Sequence, residues 1–121
     1  MNRKHYYHQA RAQGWAAKPA WIAALVRERW DEAEHAGLVR LRVEPDMDYE
    51  LVDDDERYRR LQAARVEREG AWGIIAEARC PSCGAWHAVD SCWGFVGEDW
   101  QWSGYDTDLM RAALSAVQEE P

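Results

Sequence analysis

Two periods organise the chain. Trp21, Ile22, Leu25, Val26, Trp30 and Ala33 recur at three- and four-residue intervals, and Arg27, Glu28, Asp31, Glu32 and Glu34 fill the opposite side. That is the spacing of an amphipathic helix. Pro19 suits a first helical turn and Gly37 a stop, so the pattern predicts a helix from about residue 19 to 36. After Gly37 the period drops to two. Val39, Leu41, Val43, Pro45, Met47, Tyr49 and Leu51 take the odd positions; Arg40, Arg42, Glu44, Asp46, Asp48 and Glu50 take the even ones. Such alternation predicts a half-buried strand whose charged face looks at water. Pro45 cannot donate to a ladder, so this is an edge strand, or two short strands with a break at Pro45-Asp46.

Asp53, with Glu56 three residues on, reads as a capping box, and acids in a first turn oppose the helix dipole favourably. The helix they open runs from about 54 to 69. Its apolar stripe is thin (Tyr58, Leu61, Ala64, Val66), which marks a surface helix ending at Gly70. Trp72 to Cys80 is apolar and β-branched, Pro81-Ser82-Cys83-Gly84 has turn chemistry, and Trp86 to Val89 returns as a strand. These segments predict an antiparallel hairpin. A Trp- and Gly-rich connection follows, and Asp106 is placed to cap a last helix carrying Leu109, Met110, Ala113, Leu114 and Val117, to about Glu119. Residues 1–14 are basic and aromatic, either a short helix or a mobile arm. The order α-β-α-β-β-α predicts one α+β domain over residues 1–121, with helices on one face of a small antiparallel sheet.

Charge changes this picture at one place. The net charge is −7, yet Glu44, Asp46, Asp48, Glu50, Asp53, Asp54, Asp55 and Glu56 supply eight acids in a stretch without a base, and the rest of the chain holds 14 acids to 15 bases. On an extended strand, Glu44, Asp46, Asp48 and Glu50 would stand about 6.6–6.8 Å apart on one side. A carboxylate-rich surface of this kind suits a basic partner, a protein or nucleoprotein complex of the host that itself grips nucleic acid. The plainer reading is that an edge strand carries charge against aggregation, with neighbouring arginines (Arg57, Arg59, Arg60, Arg65) neutralising it. No apolar run approaches 18 residues and the N-terminus lacks a signal-peptide core, so the expected setting is the cytoplasm, with reduced cysteines.

Candidate chemistry is confined to the hairpin. Cys80, Cys83, His87 and Cys92 stand as C-x2-C-x3-H-x4-C, and zinc takes four tetrahedral sulfur or nitrogen ligands. The CPSCG turn resembles the knuckles of zinc ribbons. The full set resembles the retroviral-type zinc knuckle, C-x2-C-x4-H-x4-C, one residue short between the second Cys and the His. That resemblance implies single-stranded nucleic-acid binding, with Trp86 and Trp93 as stacking partners. CPSC also resembles the active-site turn of glutaredoxins, but Gly84 follows at once and GAWHAVDSCWGF lacks a helical period. The plain alternative makes all three cysteines small apolar residues of the core, and a regular strand from Trp86 would point His87 away from the turn. His87, Asp90 and Ser91 are too close in sequence for a hydrolase relay, and no phosphate loop is present, so no enzyme is expected.

A broader likeness covers about residues 39–117. The run from Trp72, with CG-x-WH-x-VDS-x-WG-x-VG and a closing helix, resembles small proteins of bacteriophages and mobile elements, among which are anti-CRISPR inhibitors and DNA mimics. The resemblance implies a non-enzymatic inhibitor of a host nucleic-acid-handling complex in a bacterial cell. It assigns no residue a role. Eight tryptophans also leave room for a Trp-based homodimer contact.

Overall fold

The computed structural model describes residues 2–50 and 54–119. Its elements are α1 (Arg3–Ala12), α2 (Ala17–His35), β1 (Val39–Pro45), α3 (Glu56–Glu69), β2 (Ala71–Arg79), β3 (Trp86–Val96) and α4 (Tyr105–Glu119). The fold is α+β. One antiparallel sheet has strand order β1-β2-β3.

The long apolar helix begins at Ala17, so Pro19 falls within its first turn, where a missing N–H costs nothing. It ends as the sequence dictates. Gly37 adopts φ +75°, its N–H bonds the Glu34 carbonyl at 3.0 Å, and the Leu38 N–H reaches the Ala33 carbonyl at 2.9 Å. This paired closure satisfies two end carbonyls and turns the chain into β1.

Helices α2 and α4 pack on one face of the sheet. Val26 and Trp30 of α2 and Leu109, Met110 and Ala113 of α4 meet Val39, Ile74 and Ala76 in one buried cluster. The register explains which strand residues take part: Val39, Leu41 and Val43 lie opposite Ala78, Ala76 and Ile74, all on the helix side. The odd-numbered apolar set of β1 therefore points inward, as alternation requires.

Helix α1 forms a further layer on α2. Ala10 is fully buried, Arg3 pairs with Glu28 at 2.7 Å, and the Tyr6 hydroxyl donates to Asp31 at 2.5 Å. Of the two readings of the N-terminus, the helix is the one realised. A segment of mean polar character docks because its partners are the charged flank of α2.

Three expectations are corrected. The alternating strand breaks at Pro45-Asp46, one of the two expected forms, but no strand resumes over residues 46–50, which leave the sheet through a turn in which the Asp48 N–H bonds the Asp46 side chain at 3.1 Å. Alternation alone does not hold a strand without a ladder partner, and β2 begins at Ala71, whose carbonyl takes the last bond, from the Asp46 N–H. Helix α3 starts at Glu56 and is capped by Asp55, which accepts from the Arg57 and Tyr58 N–H groups. Asp53 lies outside the described residues. Asp106 is not a simple cap: it sits inside the first turn of α4, fully buried.

Candidate metal centre and the open sheet face

The β2–β3 hairpin closes with the Cys80 N–H on the Ala85 carbonyl and the Gly84 N–H on the Cys80 carbonyl, each at 2.8 Å. Gly84, at φ +73°, takes the left-handed turn position that a side chain would strain. Cys80 is thus paired across from Ala85, and His87, two residues further, is its diagonal neighbour on the same face. Diagonal cross-strand side chains lie within reach of each other when one is long. The predicted turning-away of His87 is therefore corrected by register.

The sulfurs of Cys80 and Cys83 and a ring nitrogen of His87 all lie within 4.8 Å of one another. A tetrahedral zinc with Zn–S near 2.3 Å places its ligands roughly 3.5–3.8 Å apart, a gap that side-chain rotation closes. The trio is close enough to hold a metal ion. Its members are solvent-accessible: Cys83 and His87 are exposed and Cys80 half-buried. The Cys80 thiol is pulled down to about 6, first by the Ser82 hydroxyl 3.2 Å away, then by the Cys83 N–H, the Cys83 thiol and the Ser82 N–H. The turn thus presents its donors to one sulfur, as a thiolate requires.

Cys92 does not join them. It pairs with Ile74 and packs against the core, where burial, assisted by Asp90, pushes its thiol up. It stands five positions along the strand from His87, about 16 Å at 3.3 Å per residue. The plain core reading holds for Cys92 alone. The reason is a one-residue irregularity in β3 opposite Ala76 and Glu77. It puts Cys92 on the helix side without moving it toward the tip.

The other face of the sheet has a chemistry that alternation did not reveal. Glu77 is 5% exposed, and Arg40 and Arg42 both donate to its Oε1, at 2.7 and 2.8 Å. Burial pushes its carboxyl up, but the bonds and charges of Arg40 and Arg42 outweigh that and hold it below the usual range. Arg42 also pairs with Glu44, and Arg40 stacks on Trp86 with its guanidinium carbon 4.2 Å from the ring centre. The charged positions of β1 are spent within the sheet.

The acidic residues are accordingly dispersed. Glu44 alone of the four alternating carboxylates stands on the strand, ion-paired; Asp46 serves its own turn, Asp55 caps α3, and Glu56 pairs with Arg60 at 2.7 Å. The expected row of carboxylates on one strand face does not form. Among the described residues, Asp48, Glu50 and Asp54 are exposed acids without an ion pair. Met47 stands among them at 88% exposure, beside a shallow cleft it shares with Trp93.

A cleft of about 860 Å³ lies at the opposite end of the sheet from the hairpin tip and has Trp72, Trp100 and Trp102 in its wall. Of its carboxylates, Glu69 and Asp99 are held by Arg65 and Glu98 is exposed; it brings no cysteine or histidine into play. The Cys80, Cys83 and His87 trio, close enough to hold a metal ion, is the more specific chemistry. Among the described residues no helix is long and apolar enough to cross a membrane. No known protein family, curated protein or solved structure matches the chain.

Proposed function

We propose that the chain is a zinc-binding module whose metal sits at the tip of the β2–β3 hairpin, held by Cys80, Cys83 and His87. The convergence of these three donors within 4.8 Å is the observation that carries the reading. Two thiolates and an imidazole favour zinc over calcium or magnesium, which prefer oxygen. The role of the metal is to fix a hairpin end that the helices do not cover, where residues 87–91 of β3 are all exposed. The test is metal content of protein purified without chelator. About one zinc per chain is expected, retained in Cys92→Ser and lost in Cys80→Ser and His87→Ala. Less than roughly 0.2 zinc per chain overturns the reading.

Met47 favours a second reading, of a non-enzymatic contact surface for a basic protein, such as a host complex that handles nucleic acid. An apolar side chain at 88% exposure between Asp46 and Asp48, with the exposed indole of Trp93 beside it, has the form of an anchor ringed by charge. Direct nucleic-acid binding is the less favoured ligand class, because Arg40 and Arg42 are already paired with carboxylates. Replacing Asp48, Glu50 and Asp54 by lysine should abolish partner capture from a bacterial lysate while the fold is kept; unchanged capture removes this reading. A gel shift with a single-stranded oligonucleotide separates the nucleic-acid alternative.

A further inference from the structure

Three donors leave a tetrahedral ion one ligand short, and the surroundings say what kind of ligand completes it. Among the described residues no fourth cysteine, histidine or carboxylate joins Cys80, Cys83 and His87. Cys92 cannot be drawn in without breaking its pairing with Ile74 and leaving the core. The site is reachable from outside, since Cys83, His87 and the β3 residues after it are exposed. The Arg79 guanidinium lies against the same turn, with Nε donating to the Gly84 carbonyl at 3.2 Å. Zinc with two thiolates is neutral, and a further anionic ligand makes the assembly −1. Arg79 brings one positive charge to that turn. A sulfur-rich set on a borderline-soft ion favours sulfur again.

Resting on the zinc reading above, we infer that the hairpin metal site takes a thiolate from outside the chain as its fourth ligand. The incoming thiol gives its proton to solvent as its sulfur bonds the metal, and no electron changes hands. The donor is either a small thiol or a cysteine of another protein molecule, and the two sources share this chemistry.

Cobalt(II)-loaded full-length protein titrated with 2-mercaptoethanol tests it. The thiolate-to-metal absorbance should rise saturably by about 1.5-fold, three thiolates in place of two, and the visible bands should stay tetrahedral. Cys92→Ser should respond like the parent, and Arg79→Gln should need more thiol to saturate. If the absorbance instead grows with protein concentration, in step with dimer formation by sedimentation, a second copy supplies the sulfur and the inference stands with that source. Cobalt bound with a spectrum indifferent to thiol overturns the inference and leaves the zinc reading intact. A three-thiolate spectrum that disappears in Cys92→Ser overturns it too. Failure to take up cobalt or zinc overturns both.

Discussion

The indole of Trp93 lies across the backbone of Gly73, so close that a Cβ at position 73 would come nearer than 3.0 Å to the ring. The Trp93 Nε1 is tied to the Ser91 hydroxyl at 3.1 Å, which keeps the ring flat on the open face. Gly73→Ala should therefore expel Trp93 and cost about 1–3 kcal/mol, the usual range for overpacking. Urea unfolding with tryptophan fluorescence measures it. Trp93→Ala in the same background should recover much of the loss; an unaltered Gly73→Ala midpoint would contradict the contact.

Asp106 is the most committed buried charge. Its carboxylate accepts from the Trp102, Gly104 and Thr107 N–H groups and pairs with Arg27, whose guanidinium lies over the Trp102 ring. Removing the charge strands Arg27. Asp106→Asn should lower stability by about 3–5 kcal/mol, the cost of breaking a buried pair. Arg27→Met combined with it should cost less than the sum of the two single changes, which a double-mutant cycle reads directly.

Glu77 gives the fold an acid limb. Its carboxyl is held below the ordinary 4.5. A depressed value means the contribution is complete above the unfolded value and disappears as pH falls through the folded one. The stability gap between parent and Glu77→Gln should be widest near neutrality and close below about pH 4.5. A gap independent of pH would show that Glu77 acts by shape alone. Because Arg40 and Arg42 are near 40% exposed, added salt should also narrow it.

Tyr6 supplies the opposite limb. Burial, the hydrogen bond to Asp31 and the Asp31 charge push its hydroxyl up to about 12 from 10.0. A raised value means stability is present below the unfolded value and lost as pH rises toward the folded one. Tyr6→Phe should be less stable than the parent at neutral pH, with the difference shrinking between about pH 10 and 12. Ultraviolet titration of the phenolate, referenced to Tyr6→Phe, checks the shift.

The elements with a strong period were legible in the sequence: α2 from its Trp and Val spacing, α4 from Leu109 to Val117, and the hairpin from its turn. What stayed hidden depended on pairing. Pro45 marks the break of β1, but that residues 46–50 form no further strand depends on the lack of a ladder partner, which alternation cannot register. Nothing in the sequence marks Glu77, and only the neighbouring rows of β1 show that two arginines roof it. The candidate metal donors were half legible. The spacing of Cys80 and Cys83 marks them, while the spacing of His87 points to the turn and the geometry of a regular strand points it away. Its return follows from where β3 pairs with β2. Cys92 could not be excluded before its side of the sheet was known, and that side is set by an irregularity of a single residue.

Helix α3 has no buried residue, and Tyr58 and Leu61 remain in water. It is tied near its C-terminal end, where Arg65 grips Asp99 and the Trp72 indole bonds the Glu69 carbonyl. Such a helix adds little to the cooperative unit formed by the sheet, α2 and α4. Its amides should exchange with deuterium through local opening, at protections well below those of Ile74 or Ala76, and from the Asp55 end first. The stretch of eight acids that sets the sign of the chain's net charge is therefore fastened to a part of the molecule that can let go without unfolding the rest.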